Sequence, residues 1–167
     1  MFTYAQLQRL PTAASALLGY LYREQTHSCP PGMLHQMSRP GIEWSGIYTV
    51  LGDVPLLPPR FGAALFNAAA QIPGVQVIRN VTTAAGQRGI AVARTVHAKR
   101  WNSGFLAIRQ AEFIFSPRTY RYLGSIENGN ITAHALTSNA LIQTTFVNTA
   151  PPGSFHYGLG VPACIGL

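Results

Sequence analysis

Acidic residues are scarce in this chain of 167 residues. The sequence has five of them against twelve lysines and arginines, which gives a formal net charge of +7 at pH 7. Charged residues make up 10% of the chain, whereas about a quarter is usual for a globular domain. Lys99 is the only lysine, and the arginines form no run along the chain. The basic balance therefore favours a dispersed, solvated charge over a functional basic face, and it argues against a nucleic-acid partner.

Standard catalytic and metal-binding motifs are also missing. The sequence contains no GxSxG, HExxH, Walker A or GxGxxG pattern. Neither cysteine belongs to a CxxC pair or to a Cys/His cluster with zinc-like spacing. We therefore predict no metal site and no cofactor. The histidines occur singly, as His27, His35, His97, His134 and His156.

Long apolar runs are absent as well. No window reaches about 18 uninterrupted apolar residues, and no basic segment leads into an apolar stretch at the start. The sequence thus predicts no membrane span, and either a cytoplasmic protein or a piece of a longer anchored chain. Cys29 and Cys164 lie near opposite ends. We favour two unpaired thiols, although an oxidising compartment would shift the balance toward a disulfide between them.

The residues that are present predict one domain with a substantial core. Hydrophobic residues make up 47% of the chain, which is typical of a globular protein. The length is close to the usual size of a single domain, about 150 residues. We predict a single α+β domain over residues 1–150. Residues 151–167 are rich in glycine, proline and aromatic residues, and we expect an irregular tail there.

Three helices are predicted in the first half of the chain. The first begins at Thr12, which is suited to be its N-cap, and ends near Gln25. The second spans 43–51, with apolar residues on one face. Prolines 58–59 begin the third helix, since proline is tolerated in a first helical turn, and the Pro-Gly pair at 73–74 ends it.

The pattern changes to strands after residue 74, where apolar and polar residues begin to alternate. The connections between the strands are short, which favours an antiparallel meander over parallel crossovers. The Asn-Gly pair at 128–129 predicts a hairpin between the last two strands. We expect three helices on one face of a curved sheet of about five strands. The predicted strands are 75–81, 90–96, 105–115, 120–126 and 131–147. Residues 84–89 are predicted to form a turn, and the Ser-Pro-Arg-Thr sequence at 116–119 suits a type I turn.

Aromatic residues are concentrated where the predicted helices meet the predicted sheet. One interpretation is an ordinary core between helices and sheet. The other is a cleft with aromatic walls and a few polar groups that binds an apolar ligand. In that second case the ligand-binding residues are predicted to be Trp44, Tyr48, Phe113, Phe115, Arg121 and Tyr122.

Glu112 is the acidic residue best placed for acid–base chemistry, and we expect the aromatic residues to gather around it where the helices meet the sheet. It precedes three apolar residues and shares a strand face with Ile114. If that face is buried, the pKa of Glu112 is raised and the side chain becomes a candidate general acid or base. Otherwise Glu112 points outward and pairs across strands with Arg121 or Arg94.

Two functions follow from these features. The first is a non-catalytic domain that binds an apolar ligand or a protein partner. The alternative is a small cyclase or isomerase acting on a hydrophobic natural product, in which an apolar cavity positions the substrate. Its catalytic residues are predicted to be Glu112 as acid or base, Tyr120 or Tyr122 as hydrogen-bond donor, and His97 as a second base.

Three segments carry a family resemblance: residues 10–12 ahead of the first helix, residues 58–66 with 72–75, and residues 112–124. In this order they resemble the C-terminal domain of a large, mostly uncharacterised family of actinobacterial proteins. The likeness runs from about Tyr4 to Thr149. Many members look membrane-anchored with this domain outside the membrane, and some accompany sigma-factor or anti-sigma genes. The resemblance implies an extracytoplasmic sensor or binding domain with a half-barrel-like sheet, and it supplies no catalytic residues.

Overall fold

Helices precede an antiparallel sheet, so the predicted α+β class is confirmed. The computed structural model describes residues 4–28, 38–54, 56–98, 107–130 and 135–140. The predictions for Cys29, Cys164, three of the histidines (35, 134 and 156) and the tail at 151–167 lie outside these residues. The helices are α1 (Tyr4–Leu7), α2 (Ala14–Ser28), α3 (Arg39–Asp53) and α4 (Pro59–Gln71). The strands are β1 (Val75–Thr82), β2 (Arg88–Ala98), β3 (Ala107–Phe115), β4 (Tyr122–Asn130) and β5 (Ala135–Ala140).

The prediction of three helices is wrong, because the described part of the chain contains four. Helix α1 has only four residues, which is too short to show a periodic apolar pattern. Helix α3 also begins before residue 43, the predicted start. It begins at Arg39 because the Ser38 hydroxyl accepts a hydrogen bond from the backbone N–H of Gly41, at 3.3 Å, and caps the first turn.

The strands follow each other in the sheet in chain order, each antiparallel to the next. Within the described residues the sheet is open, with β1 and β5 at its edges. The predicted hairpin between the last two strands is confirmed, since β4 and β5 pair antiparallel. Its turn is not at Asn128-Gly129, because both residues lie inside β4 and pair with Gln110 and Arg109 of β3. Pairing along the whole length of β3 overrides the local turn preference of the Asn-Gly pair.

The two faces of the sheet carry different residues. Val92, Phe113 and Phe115 face the helices and join their buried side chains in the main core. Ile114 and Leu123 belong to a smaller buried cluster with Ala91. Because successive strand residues point to opposite faces, this smaller cluster lies on the side of the sheet away from the helices.

Helix α3 approaches α2 closely at Gly46, and this contact yields a testable prediction. A Cβ placed on Gly46 would lie 2.9 Å from Leu21 Cβ, whereas a Cβ on Gly52 of the same helix meets nothing within 4 Å. We expect Gly46→Ala to lower the free energy of unfolding by about 1–3 kcal/mol through overpacking. Gly52→Ala, the matched control, should raise it by up to about 1 kcal/mol because alanine favours helix. Urea unfolding of both variants measures the two effects, and equal effects would contradict the close helix contact.

Candidate functional site

Most of the predicted ligand-binding aromatics meet at the interface between helices and sheet. The Trp44 and Tyr48 rings lie 5.1 and 5.8 Å from that of Phe113, measured between centroids. The rings of Phe115 and Tyr122 lie 5.8 Å apart. Trp44, Phe113 and Phe115 are each at most 2% exposed. These contacts are those of a packed core, in which aromatic pairs at such distances add to the stability of the fold.

Polar groups are enclosed in the same interface. The Tyr48 hydroxyl donates a hydrogen bond of 2.8 Å to Glu127 Oε1, which ties α3 to β4. Burial lowers the pKa of Arg94 on β2, and the charge of Glu43 partly opposes that change. Glu43 in turn accepts a 2.8 Å hydrogen bond from Arg39 Nε. The Tyr48–Glu127 hydrogen bond therefore joins α3 to the sheet, whereas the Arg39–Glu43 pair lies within α3.

Tyr122 gives this interface a dependence on alkaline pH. Burial raises the pKa of Tyr122 to about 12, and a hydrogen bond with Ser125 opposes the rise. The ordinary pKa is 10.0, so the unfolded chain loses this proton first. The free energy of unfolding should therefore fall by up to about 3 kcal/mol from pH 10 to pH 12.

In the Tyr122→Phe variant the part of this fall in the free energy of unfolding that comes from Tyr122 should be absent. At pH 7 the free energy of unfolding of the variant should also be about 1 kcal/mol lower, because phenylalanine cannot form the hydrogen bond with Ser125. Urea unfolding of both proteins between pH 8 and pH 12 measures the difference. Parallel pH profiles would show that Tyr122 is not the group that titrates.

Glu112 lies away from these aromatic residues. It alternates with Phe113 along β3 and therefore shares a face with Ile114, on the side of the sheet away from the helices. Burial raises its pKa, in the direction that the sequence predicts for a buried face. The expectation that the aromatic residues gather around Glu112 is nevertheless wrong, because the strand alternation places them on opposite faces.

The three residues predicted to be catalytic are spread along the sheet. His97 pairs with Ile108 in β3. Ile108 lies about 23 Å along β3 from Phe115. Tyr120 lies beyond Phe115, in the β3–β4 turn. Glu112 lies between these two positions. The fold therefore does not bring His97 and Tyr120 to one place.

A separate cavity of about 670 Å³ lies at one end of the sheet, and it is partly open to solvent. The antiparallel order brings the β1–β2 and β3–β4 turns to this end, next to α1 and the start of α4. The volume lies within the range of about 300–1,000 Å³ typical of small-molecule sites. Its apolar wall consists of Tyr4, Leu56, Leu57, Pro58, Pro59 and Leu123. Its polar groups are Gln87, Arg88, Ser116, Thr119 and Arg121.

Tyr120 and Gly62 join the two sides of this cavity. Tyr120 has a φ of 53°, in the left-handed region that residues other than glycine rarely adopt. Its backbone carbonyl points at α4, where a Cβ on Gly62 would lie 2.6 Å from the oxygen. The Tyr120 ring packs on Phe66 with centroids 5.2 Å apart. The turn is therefore held against the helix by both backbone and side chain.

Backbone hydrogen bonds fix the polar residues of the cavity. The Gln87 N–H donates to Thr83 Oγ1 at 3.2 Å, and the Gln87 carbonyl accepts from the Thr83 N–H at 2.9 Å. The Arg121 carbonyl accepts from the Ser116 N–H at 2.8 Å, and the Arg121 N–H donates to Thr119 Oγ1 at 3.4 Å. Two separate turns thus present an arginine to the same cavity.

The sequence predicted only part of this site. Arg121 and Tyr120 were candidates and do line the cavity, whereas Arg88 and Gln87 were placed in a turn without a functional role. The sequence did contain a signal for Gln87 and Arg88. Alternate turns of an antiparallel meander lie at the same end of the sheet, so the predicted topology places these two residues near Tyr120 and Arg121. The contribution of α4 could not be found in this way, because its packing depends on tertiary contacts.

Comparison with known proteins finds no relative of this chain. No protein-family model matches the chain, and neither the curated proteins nor the solved structures contain a match. The resemblance to an actinobacterial family therefore stays a prediction.

Within the described ranges, no group of three or more His, Cys, Asp or Glu side chains could hold a metal ion. No helix in the described ranges is long and apolar enough to cross a membrane.

Proposed function

We propose that this chain is a non-catalytic binding domain for a small molecule with an apolar body. The observation that carries the proposal is the cavity of about 670 Å³ between the two turns and the start of α4. Leucine and proline side chains of one wall suit an apolar body, and polar groups on the turns suit the orientation of the ligand. The extracytoplasmic sensor role and the half-barrel shape implied by the family resemblance are compatible with this function.

A neutral apolar probe tests the proposal directly. We expect decan-1-ol to bind the chain saturably, detected by NMR shifts of the amides of the two turns. Thr119 is exposed and lines the cavity, so Thr119→Trp should place an indole over it and weaken binding at least tenfold. Arg118 lies in the same turn but does not line the cavity, so Arg118→Trp is the matched control. Absence of saturable binding, or equal binding by the two variants, would refute a binding cavity.

The cyclase or isomerase alternative is supported by two observations. Burial raises the pKa of Glu112, and Tyr120 lines the cavity. Glu112 itself is not among the lining residues, and on its face of the strand Ile114 lies between it and the end of the sheet. Glu112 thus has no direct access to a ligand in this cavity, and we favour binding without catalysis.

A further inference from the structure

We propose that the ligand of the cavity at the β1–β2 and β3–β4 turns is an amphipathic acid with a hydrogen-bond donor beside its acidic group, as in an N-acylated amino acid. This inference rests on the proposed function, since it names the class of molecule that the same cavity takes. Three features of the wall indicate three parts of the ligand: the arginines, the side-chain amide of Gln87 and the apolar residues.

The two arginines at the cavity, Arg88 and Arg121, indicate that the ligand carries an acidic group. Arg88 is the first residue of β2 and Arg121 directly precedes β4, and both are exposed and border the same cavity. The described lining residues include no Asp or Glu to neutralise them. Guanidinium groups pair with carboxylates and other oxyanions through charge-assisted hydrogen bonds. An anionic group at the rim would therefore be attracted by both.

Gln87 indicates that the ligand carries a hydrogen-bond donor. Its Oε1 is buried and has no hydrogen-bond partner, although its backbone is well bonded to Thr83. A buried acceptor without a partner is unfavourable. Rotation of the Gln87 amide toward the cavity that Gln87 lines would let this oxygen accept a hydrogen bond from an N–H or O–H of a ligand. Gln87 and Arg88 are consecutive, with Cα atoms about 3.8 Å apart. Because Gln87 and Arg88 also line the same cavity, the donor of the ligand should lie near its acidic group.

The apolar wall of the cavity indicates the remaining part of the ligand, its hydrocarbon body. Leu56, Leu57 and two prolines precede and begin α4, and Leu123 adds a side chain from β4. None of these offers a side-chain hydrogen bond, so the part of the ligand against them should be hydrocarbon. A free inorganic oxyanion would leave this wall without a partner.

Four probes separate these contributions when they are titrated into the full chain by calorimetry. N-octanoylglycine has the chain, the N–H and the carboxylate. Its methyl ester lacks only the charge, N-octanoylsarcosine lacks only the N–H, and inorganic phosphate lacks the chain. We expect N-octanoylglycine to bind at least tenfold more tightly than each of the other three.

Variants assign the effects to residues. Arg88→Gln and Arg121→Gln should each reduce the preference for the acid over its ester, while Arg118→Gln, from the same turn but outside the cavity, should leave it unchanged. Gln87→Leu should abolish the preference for N-octanoylglycine over N-octanoylsarcosine. It should also raise the melting temperature of the free protein, because an unpaired buried acceptor is removed.

The outcomes distinguish this inference from the proposed function. If acid, ester and sarcosine probes bind equally and Thr119→Trp weakens all of them, the cavity binds apolar molecules and the inference about the acidic group is overturned. If phosphate binds as tightly as N-octanoylglycine, the site is an oxyanion site and the amphipathic ligand is excluded. If none of the probes binds, the proposed function fails together with the inference.

Discussion

Phe113→Ala should lower the free energy of unfolding by about 3–5 kcal/mol. The Phe113 side chain is 2% exposed and packs against Trp44 and Tyr48, so truncation leaves a cavity at the centre of the interface between helices and sheet. For a domain whose total stability is about 5–15 kcal/mol, this loss is large. The melting temperature should fall by roughly 10 °C, which thermal unfolding monitored by circular dichroism would measure.

Val77→Ala is the matched control for this prediction. Val77 lies on the same face of the sheet but is 50% exposed, so its truncation should cost less than about 1 kcal/mol. The comparison also decides between the two interpretations of the aromatic residues that the sequence left open. A small effect of Phe113→Ala would show that the ring lines an open ligand cleft instead of filling the core.

Gly62→Ala should destabilise the protein and disrupt the cavity together. The added Cβ would lie 2.6 Å from the carbonyl oxygen of Tyr120, and a backbone atom in a tight turn has little room to move. Overpacking of this kind costs about 1–3 kcal/mol, which exceeds the gain of up to about 1 kcal/mol from helix propensity. Because the turn must shift to relieve the contact, decan-1-ol should also bind at least tenfold more weakly.

Gly19→Ala tests whether the effect comes from this contact or from a glycine substitution in general. The nearest atom to a Cβ on Gly19 is Arg23 Nη1 at 3.8 Å, an ordinary contact with a flexible side chain. This variant should be as stable as the original chain or more stable, with unchanged binding. If Gly62→Ala behaves in the same way, the turn does not rest on the first turn of α4. Urea unfolding and the binding titration together provide both readouts.

The helices and strands that the sequence predicted best are those with strong local signals. The Pro-Gly pair at 73–74 ends α4, and Gly74 has a φ of 84° that glycine adopts without strain. The Ser-Pro-Arg-Thr turn at 116–119 lies between β3 and β4, where its pattern predicts it. In contrast, Asn128-Gly129 has a strong turn signal and lies in a strand, because β3 supplies pairing partners along its length.

The candidate site was less predictable than the fold. The sequence identified Tyr120 and Arg121, yet it grouped them with Phe113 and Phe115, which belong to the core. It also assigned Glu112 to the aromatic cluster, although one residue along a strand changes the face. Which face of a strand the helices cover is a tertiary property, since both faces of β3 carry apolar residues.

The sequence by itself determined the α+β class, the order of helices before strands and the antiparallel meander, because these depend on local periodicity and short connections. The tertiary structure alone decided that the aromatic residues form a core and that Gln87, Arg88 and Arg121 face one cavity. Residues far apart in the chain meet only when α4 packs at the end of the sheet. The contact between Gly62 and Tyr120 that joins them requires glycine, because a Cβ on Gly62 would lie 2.6 Å from the Tyr120 carbonyl oxygen. No local pattern encodes such a fit between distant residues.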